Sequence, residues 1–129
     1  MASKKSAAKR TQKKKQGKKS YVFDGRWKNE LGSTMKLKVS GQKITGSYKT
    51  AKSSDGGPLP PHPLIGFIDK NLISFVVNWK DEDSITAWVG QMISKDEIFT
   101  MWQMTKEVDD PAQDYWESIL VGSDSFTRS

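Results

Sequence analysis

From Phe23 to Thr127 the chain runs through eight short segments in which apolar and polar residues alternate, each ended by a turn signal. Alternation of this kind belongs to strands with one buried face, and no segment sustains the period of about 3.6 residues that a helix needs. Phe23, Gly25, Trp27 and Asn29 share one face of the first segment, opposite Val22, Asp24, Arg26 and Lys28. Ser33, Met35, Leu37 and Val39 alternate with Thr34, Lys36 and Lys38, and Ile44, Gly46, Tyr48 and Thr50 with Lys43, Thr45, Ser47 and Lys49. Shorter strands follow at Leu64–Ile68, Phe75–Trp79 and Ser84–Gln91, then at Glu97–Thr105 and Tyr115–Thr127. Successive strands with short links fit an all-β fold, an eight-stranded antiparallel up-and-down barrel that leaves no open edge. A sandwich is the alternative.

The hairpin Phe75 to Gln91 carries the strongest hint of function. Phe75, Val77 and Trp79 fall on one face of its first strand, and Ser84, Thr86 and Trp88 on one face of its second. A face that pairs tryptophans with small hydroxyls can grip a compact ligand with a few polar atoms. Parity places Asn29 on the Trp27 face, Thr50 on the Tyr48 face, Thr86 on the Trp88 face and Asp124 on the Leu120 face, all pointing inward. The loop 52–63, rich in Ser, Gly and Pro, is long for a hairpin link and suited to cover a site. His62 reads as a turn residue between prolines.

Charge is distributed unevenly. Residues 1–19 hold nine Lys or Arg and no acid, leaving twelve basic against fifteen acidic residues in the remainder, a net charge of −3 there. The expected organisation is a Lys-rich disordered tail over 1–20 and a barrel domain over 21–129. The tail can meet a polyanion such as nucleic acid, or serve as a solvated arm. No apolar run follows its charges, so it is not a recognisable secretion signal. No stretch is long and apolar enough to span a membrane, and the absence of cysteine excludes disulfides and thiolate metal sites. One proline-flanked histidine, without a nucleophile–base pair or a phosphate loop, argues against an enzyme.

Several ordered blocks carry a resemblance: Gly25-Arg-Trp27-Lys-Asn29-Glu-Leu31-Gly32-Ser33, Thr45-Gly46-Ser-Tyr48, Val77-Asn78-Trp79-Lys80, Gly90-Gln91, Thr100-Met101-Trp102, Trp116, Val121-Gly122 and Phe126-Thr127-Arg128. A lone Gly-x-Trp is shared with lipocalins, but the whole series in this order resembles the avidin/streptavidin family of biotin-binding proteins. The resemblance implies a non-catalytic barrel that takes biotin as ligand, with no cofactor and no metal. It implies Asn29, Ser33 and Tyr48 as donors to the ureido carbonyl, and Thr50 and Asp124 as acceptors for the ureido N–H groups. Thr86 would meet the sulfur and Ser84 the tail carboxylate. Trp79, Trp88 and Trp102, with Met104, would box the bicycle, and Lys52, Ser53, Ser54 and Asp55 would lie in the loop closing over the tail.

Trp116 matches the tryptophan given to a neighbouring subunit's site, so the resemblance favours a homotetramer over a dimer. Outward apolar positions in the later strands, Val76, Ile85, Ala87, Val89, Phe99, Met101, Ile119 and Val121, independently point to association. Asp55, Asp81 and Glu82 depart from the family and put negative charge near a bound carboxylate. Secreted members of the family make an extracellular location an expectation from resemblance alone. The alternative is a lipocalin-like carrier of another small apolar ligand, whose cavity would hold fewer polar residues than this one.

Overall fold

A computed structural model describes residues 20–51 and 59–129. The strands are β1 (Gly25–Asn29), β2 (Thr34–Ser40), β3 (Lys43–Lys49), β4 (His62–Asp69), β5 (Leu72–Trp79), β6 (Ser84–Ser94), β7 (Glu97–Lys106) and β8 (Ile119–Arg128). Each pairs antiparallel with the next, and β8 returns to β1, closing an eight-stranded barrel. The alternation becomes the inside–outside division. Trp27, Met35, Leu37, Ile44, Phe75, Val77 and Phe126 are buried, while their polar neighbours along each strand face out.

The two ends of the barrel differ, because antiparallel strands bring alternating termini together. One end collects the starts of β1, β3 and β7 and the end of β8, and there Phe23, Trp27, Ile44, Ile98 and Phe126 are fully buried. Arg128 closes this end. Its guanidinium lies 4.2 Å from the centroid of Trp27, an attraction between a cation and a ring's negative face. It also donates to the carbonyls of Val22, Asp24 and Lys95. Among the described residues the opposite end is open, and the β5–β6 and β7–β8 connections form part of its rim.

Those connections depart from the sequence reading. Lys80–Glu82 is one 3-10 turn, and Asp83 after it is left-handed at φ 50°. A single helical turn, α1 (Pro111–Asp114), and a 3-10 turn over Tyr115–Glu117 precede β8. The last strand therefore begins at Ile119 rather than Tyr115. Asp110 accepts from Ala112 N at 3.1 Å and Pro111 takes the first helical position, a favoured pairing at a helix start. His62 is likewise no turn residue. It opens β4 opposite Tyr48, with its ring 5.1 Å from that of Trp79, and its buried Nδ1 has no hydrogen-bond partner among the described residues.

Candidate functional site

The open end leads to a cavity of about 250 Å³ lined by Asn29, Leu31, Ser33, Tyr48, Thr50, Trp79, Glu82, Ser84, Thr86, Trp88, Trp102, Met104 and Asp124. β1, β3, β5 and β7 end at this mouth while β6 begins there, so residues distant in sequence meet around one space. Larger grooves exist on the outer surface, but they lack this convergence of inward polar groups.

One wall is a fixed set of donors. Asn29 Oδ1 accepts from Leu31 N at 3.0 Å and Ser33 N at 2.9 Å, which orients the amide with its Nδ2 3.4 Å from the Tyr48 hydroxyl. Ser33 Oγ accepts from Ala51 N at 3.2 Å, leaving its own O–H to be donated elsewhere. Burial, then the charge of Asp124, pushes the Tyr48 phenol well above its ordinary range. It stays a protonated donor across any physiological pH.

A second, aromatic group of lining residues is held by hydrogen bonds. Trp88 donates from Nε1 to Asp124 Oδ2 at 2.9 Å, and Trp79 from Nε1 to Thr86 Oγ1 at 2.8 Å. Phe75 stacks on Trp88 at 4.7 Å from beneath, and Tyr48 packs 4.8 Å from the Trp88 ring. These contacts leave the rings few alternative rotamers.

Asp124 is the buried carboxyl of the site, only 6% exposed. Burial raises its pKa above the ordinary carboxylate value, and the Trp88 N–H opposes that shift. Glu30 raises it further. That residue follows the last β1–β8 pair, Asn29 with Phe126, and its Oε1 accepts from Ser125 N at 3.1 Å where the ladder stops. A second carboxyl is thus held beside Asp124.

The cavity gathers Asn29, Ser33, Tyr48, Thr50, Trp79, Ser84, Thr86, Trp88, Trp102, Met104 and Asp124 from the residues singled out in the sequence. Trp116 does not line it. It sits in the 3-10 turn before β8, 68% exposed. Lys52, Ser53, Ser54 and Asp55 lie outside the described residues. Two further residues line the cavity: Glu82, expected from the sequence only as negative charge near a bound carboxylate, and Leu31, which the sequence offered only within the Gly25–Ser33 block. Their signal was position, each lying within two residues of an inward hydroxyl, Ser33 or Ser84.

A closed barrel with one polar-lined, tryptophan-walled cavity defines a binding protein for a compact small molecule. The sequence profile of the Avidin family matches residues 17–129. Avidin from Gallus gallus is 34% identical over 116 residues, covering 81% of this chain and 76% of the relative. Avidin-related protein 4/5 from Gallus gallus is 33% identical over 114 residues, covering 81% and 75%. This chain belongs to the avidin family. Among solved structures, Xenavidin superposes with a TM-score of 0.74 at 29% identity, covering 86% of this chain and all of that one. A rhizavidin–biotin complex gives 0.68 at 26% identity, covering 84% and 92%. Family membership carries with it a ligand-binding rather than an enzymatic role.

Proposed function

We propose that this protein binds biotin, free or attached to another molecule, inside the barrel as a ligand and not as a cofactor. The observation that carries the reading is the convergence of three donors, Asn29, Ser33 and Tyr48, and the acceptor Asp124 on one cavity walled by Trp79, Trp88 and Trp102. A ureido group has the complementary chemistry, one carbonyl oxygen between two N–H groups. Three donors draw charge onto the carbonyl oxygen, which polarises the N–H groups toward Thr50 and Asp124. The bicycle would lie between the indoles, with Thr86 near the sulfur, Ser84 near the tail carboxylate and Met104 packing beside them. Lys52, Ser53, Ser54 and Asp55 are proposed to close over the tail. Because hydrogen bonds already orient Asn29, Trp79, Trp88 and Asp124, those groups add little ordering cost to oppose binding.

The same reading makes the protein a homo-oligomer, a tetramer in preference to a dimer, with Trp116 completing a neighbour's site. Its support is the exposed apolar exterior: Val89, Met101, Trp116 and Val121 are all more than half exposed. Contiguous apolar surface on that scale is a mark of association. A further proposed contact, between residues 1–19 and a polyanion, rests on their nine Lys and Arg without an acid.

Calorimetric titration of biotin into the full chain tests the ligand assignment. One site per chain with a favourable enthalpy is expected, and the absence of heat at micromolar protein together with an unchanged melting temperature would exclude it.

A further inference from the structure

We propose that Gly122 is a positioning residue for the ligand site, its missing side chain providing the seat on which the Trp102 indole rests. The ligand named here rests on the biotin reading, but the contact rests on geometry. Trp102 and Gly122 are paired directly across the β7–β8 ladder, and Gly122 shares the inward face of β8 with Asp124 and Phe126. A Cβ at Gly122 would stand 2.4 Å from Cζ2, 2.6 Å from Cε2 and 3.0 Å from Nε1 of the indole. Those separations fall well inside the roughly 3.5–4.0 Å at which carbon atoms rest against each other.

The other inward glycines of the strands serve a different purpose. A Cβ at Gly46, Gly66 or Gly90 would strike the backbone of the neighbouring strand, at the carbonyls of Lys36, Ser74 and Phe99 respectively. They permit the barrel to close. At Gly122 the three nearest obstacles all belong to one cavity-lining side chain. Nor does its backbone require glycine, since the positive-φ glycines are Gly25, Gly32 and Gly41. Glycine in a strand interior is a local weakness that commonly marks a close approach. Here what approaches is Trp102.

The consequence is specific to that wall. Trp79 and Trp88 are anchored by their indole N–H bonds to Thr86 and Asp124. Among the described residues Trp102 makes no side-chain hydrogen bond, so packing decides where its ring lies. A methyl at Gly122 forces the ring to tilt into the cavity or out of its mouth, while the strand keeps its path. The contact made by the third indole with the apolar part of the ligand is lost in either case.

Gly122→Ala, Trp102→Ala and the double variant, each in the full chain, provide the test. Gly122→Ala is expected to release biotin at least about tenfold faster, because changes at a pre-formed site act mainly on dissociation. In protein labelled with fluorotryptophan, the fluorine resonance lost in Trp102→Ala should be the one that moves most in Gly122→Ala. In the Trp102→Ala background the glycine substitution should change release by less than about twofold, as residues acting through one contact are not additive. Unchanged release and resonance, or an equal acceleration in both backgrounds, overturns the proposal. If Gly122→Ala does not fold, recovery in the double variant supports the seat and failure of both refutes it. Failure of the wild-type chain to bind biotin removes the ligand assignment, and the resonance then decides the role of Gly122 by itself.

Discussion

The indole N–H of Trp88 donates to Asp124 Oδ2 at 2.9 Å, tying the aromatic wall to the one buried carboxyl of the cavity. Thr100 holds the same residue from its other side, donating from Oγ1 to the Asp124 carbonyl at 3.0 Å. Asp124 is thereby fixed both through its side chain and through its backbone. An acceptor that is fixed before the ligand arrives does not have to be ordered on binding.

Replacing Asp124 by Ala removes a charged acceptor and leaves the Trp88 N–H unpaired. Biotin affinity should fall by about 3 kcal/mol, roughly a hundredfold or more. Asp124→Asn, which keeps an oxygen acceptor, should fall in between. Calorimetry on the three proteins reads the order, and an Ala variant equal to wild type would remove Asp124 from the binding set.

The raised pKa of Asp124 gives binding and stability opposite dependence on pH. Burial, opposed by Trp88 and assisted by Glu30, makes the ionised form costly in the folded protein. The folded state therefore holds the proton more tightly than the unfolded one. This group's contribution to the stability of the free protein is largest in acid, and it is lost as pH rises from the ordinary carboxylate range through the raised value. Biotin needs the carboxylate, so affinity should rise across that same window. The other groups facing Asp124 are the Tyr48 phenol, protonated throughout, and the neutral Asn29 and Trp88. Glu30→Gln keeps an oxygen for Ser125 N but removes the second charge. Its affinity profile should shift toward lower pH, and a profile superimposable on wild type would show that Glu30 does not act on Asp124.

Trp116 projects into solvent from the turn before β8, although a tryptophan offers more apolar area for burial than most side chains. Trp116→Lys should weaken assembly and biotin binding together. Light scattering paired with a release assay reads both. A disrupted oligomer with unchanged release would restrict Trp116 to holding subunits together.

The tail can be tested separately from the barrel. Removing residues 1–19 should abolish retention on heparin or DNA at low salt while biotin binding persists. The salt dependence should flatten, since each Lys or Arg on a phosphate releases about one counterion. Equal retention of the truncated and whole chains would place any polyanion contact in the barrel.

Much of the site was legible because strand alternation fixes direction. Once Trp27 and Tyr48 were assigned inward, Asn29 and Thr50 had to follow, and Thr86 and Asp124 did so by the same parity. The connections were less legible. Asp110-Pro111 starts a helix, but α1 is one turn and too short to show a period. His62 lies in Pro-Pro-His-Pro, and prolines suggest a loop until pairing with β3 shows that Pro63 is the second residue of β4, a position near a strand start that proline tolerates. Leu31 and Glu82 line the cavity from turns, where alternation assigns no face. The meeting of Glu30 with Ser125 depends on where the β1–β8 ladder stops, a property of closure rather than of either segment.

The most direct measurement is a thermal melt of the full chain with and without biotin. A ligand held only by the folded state, at about a thousand times its dissociation constant, adds about 4 kcal/mol and lifts the melting temperature of a domain this size by roughly 15 °C. That rise is the predicted result, and it should be much reduced in Asp124→Ala. A melting temperature indifferent to biotin would contradict the biotin assignment and leave a family barrel whose cavity serves another ligand.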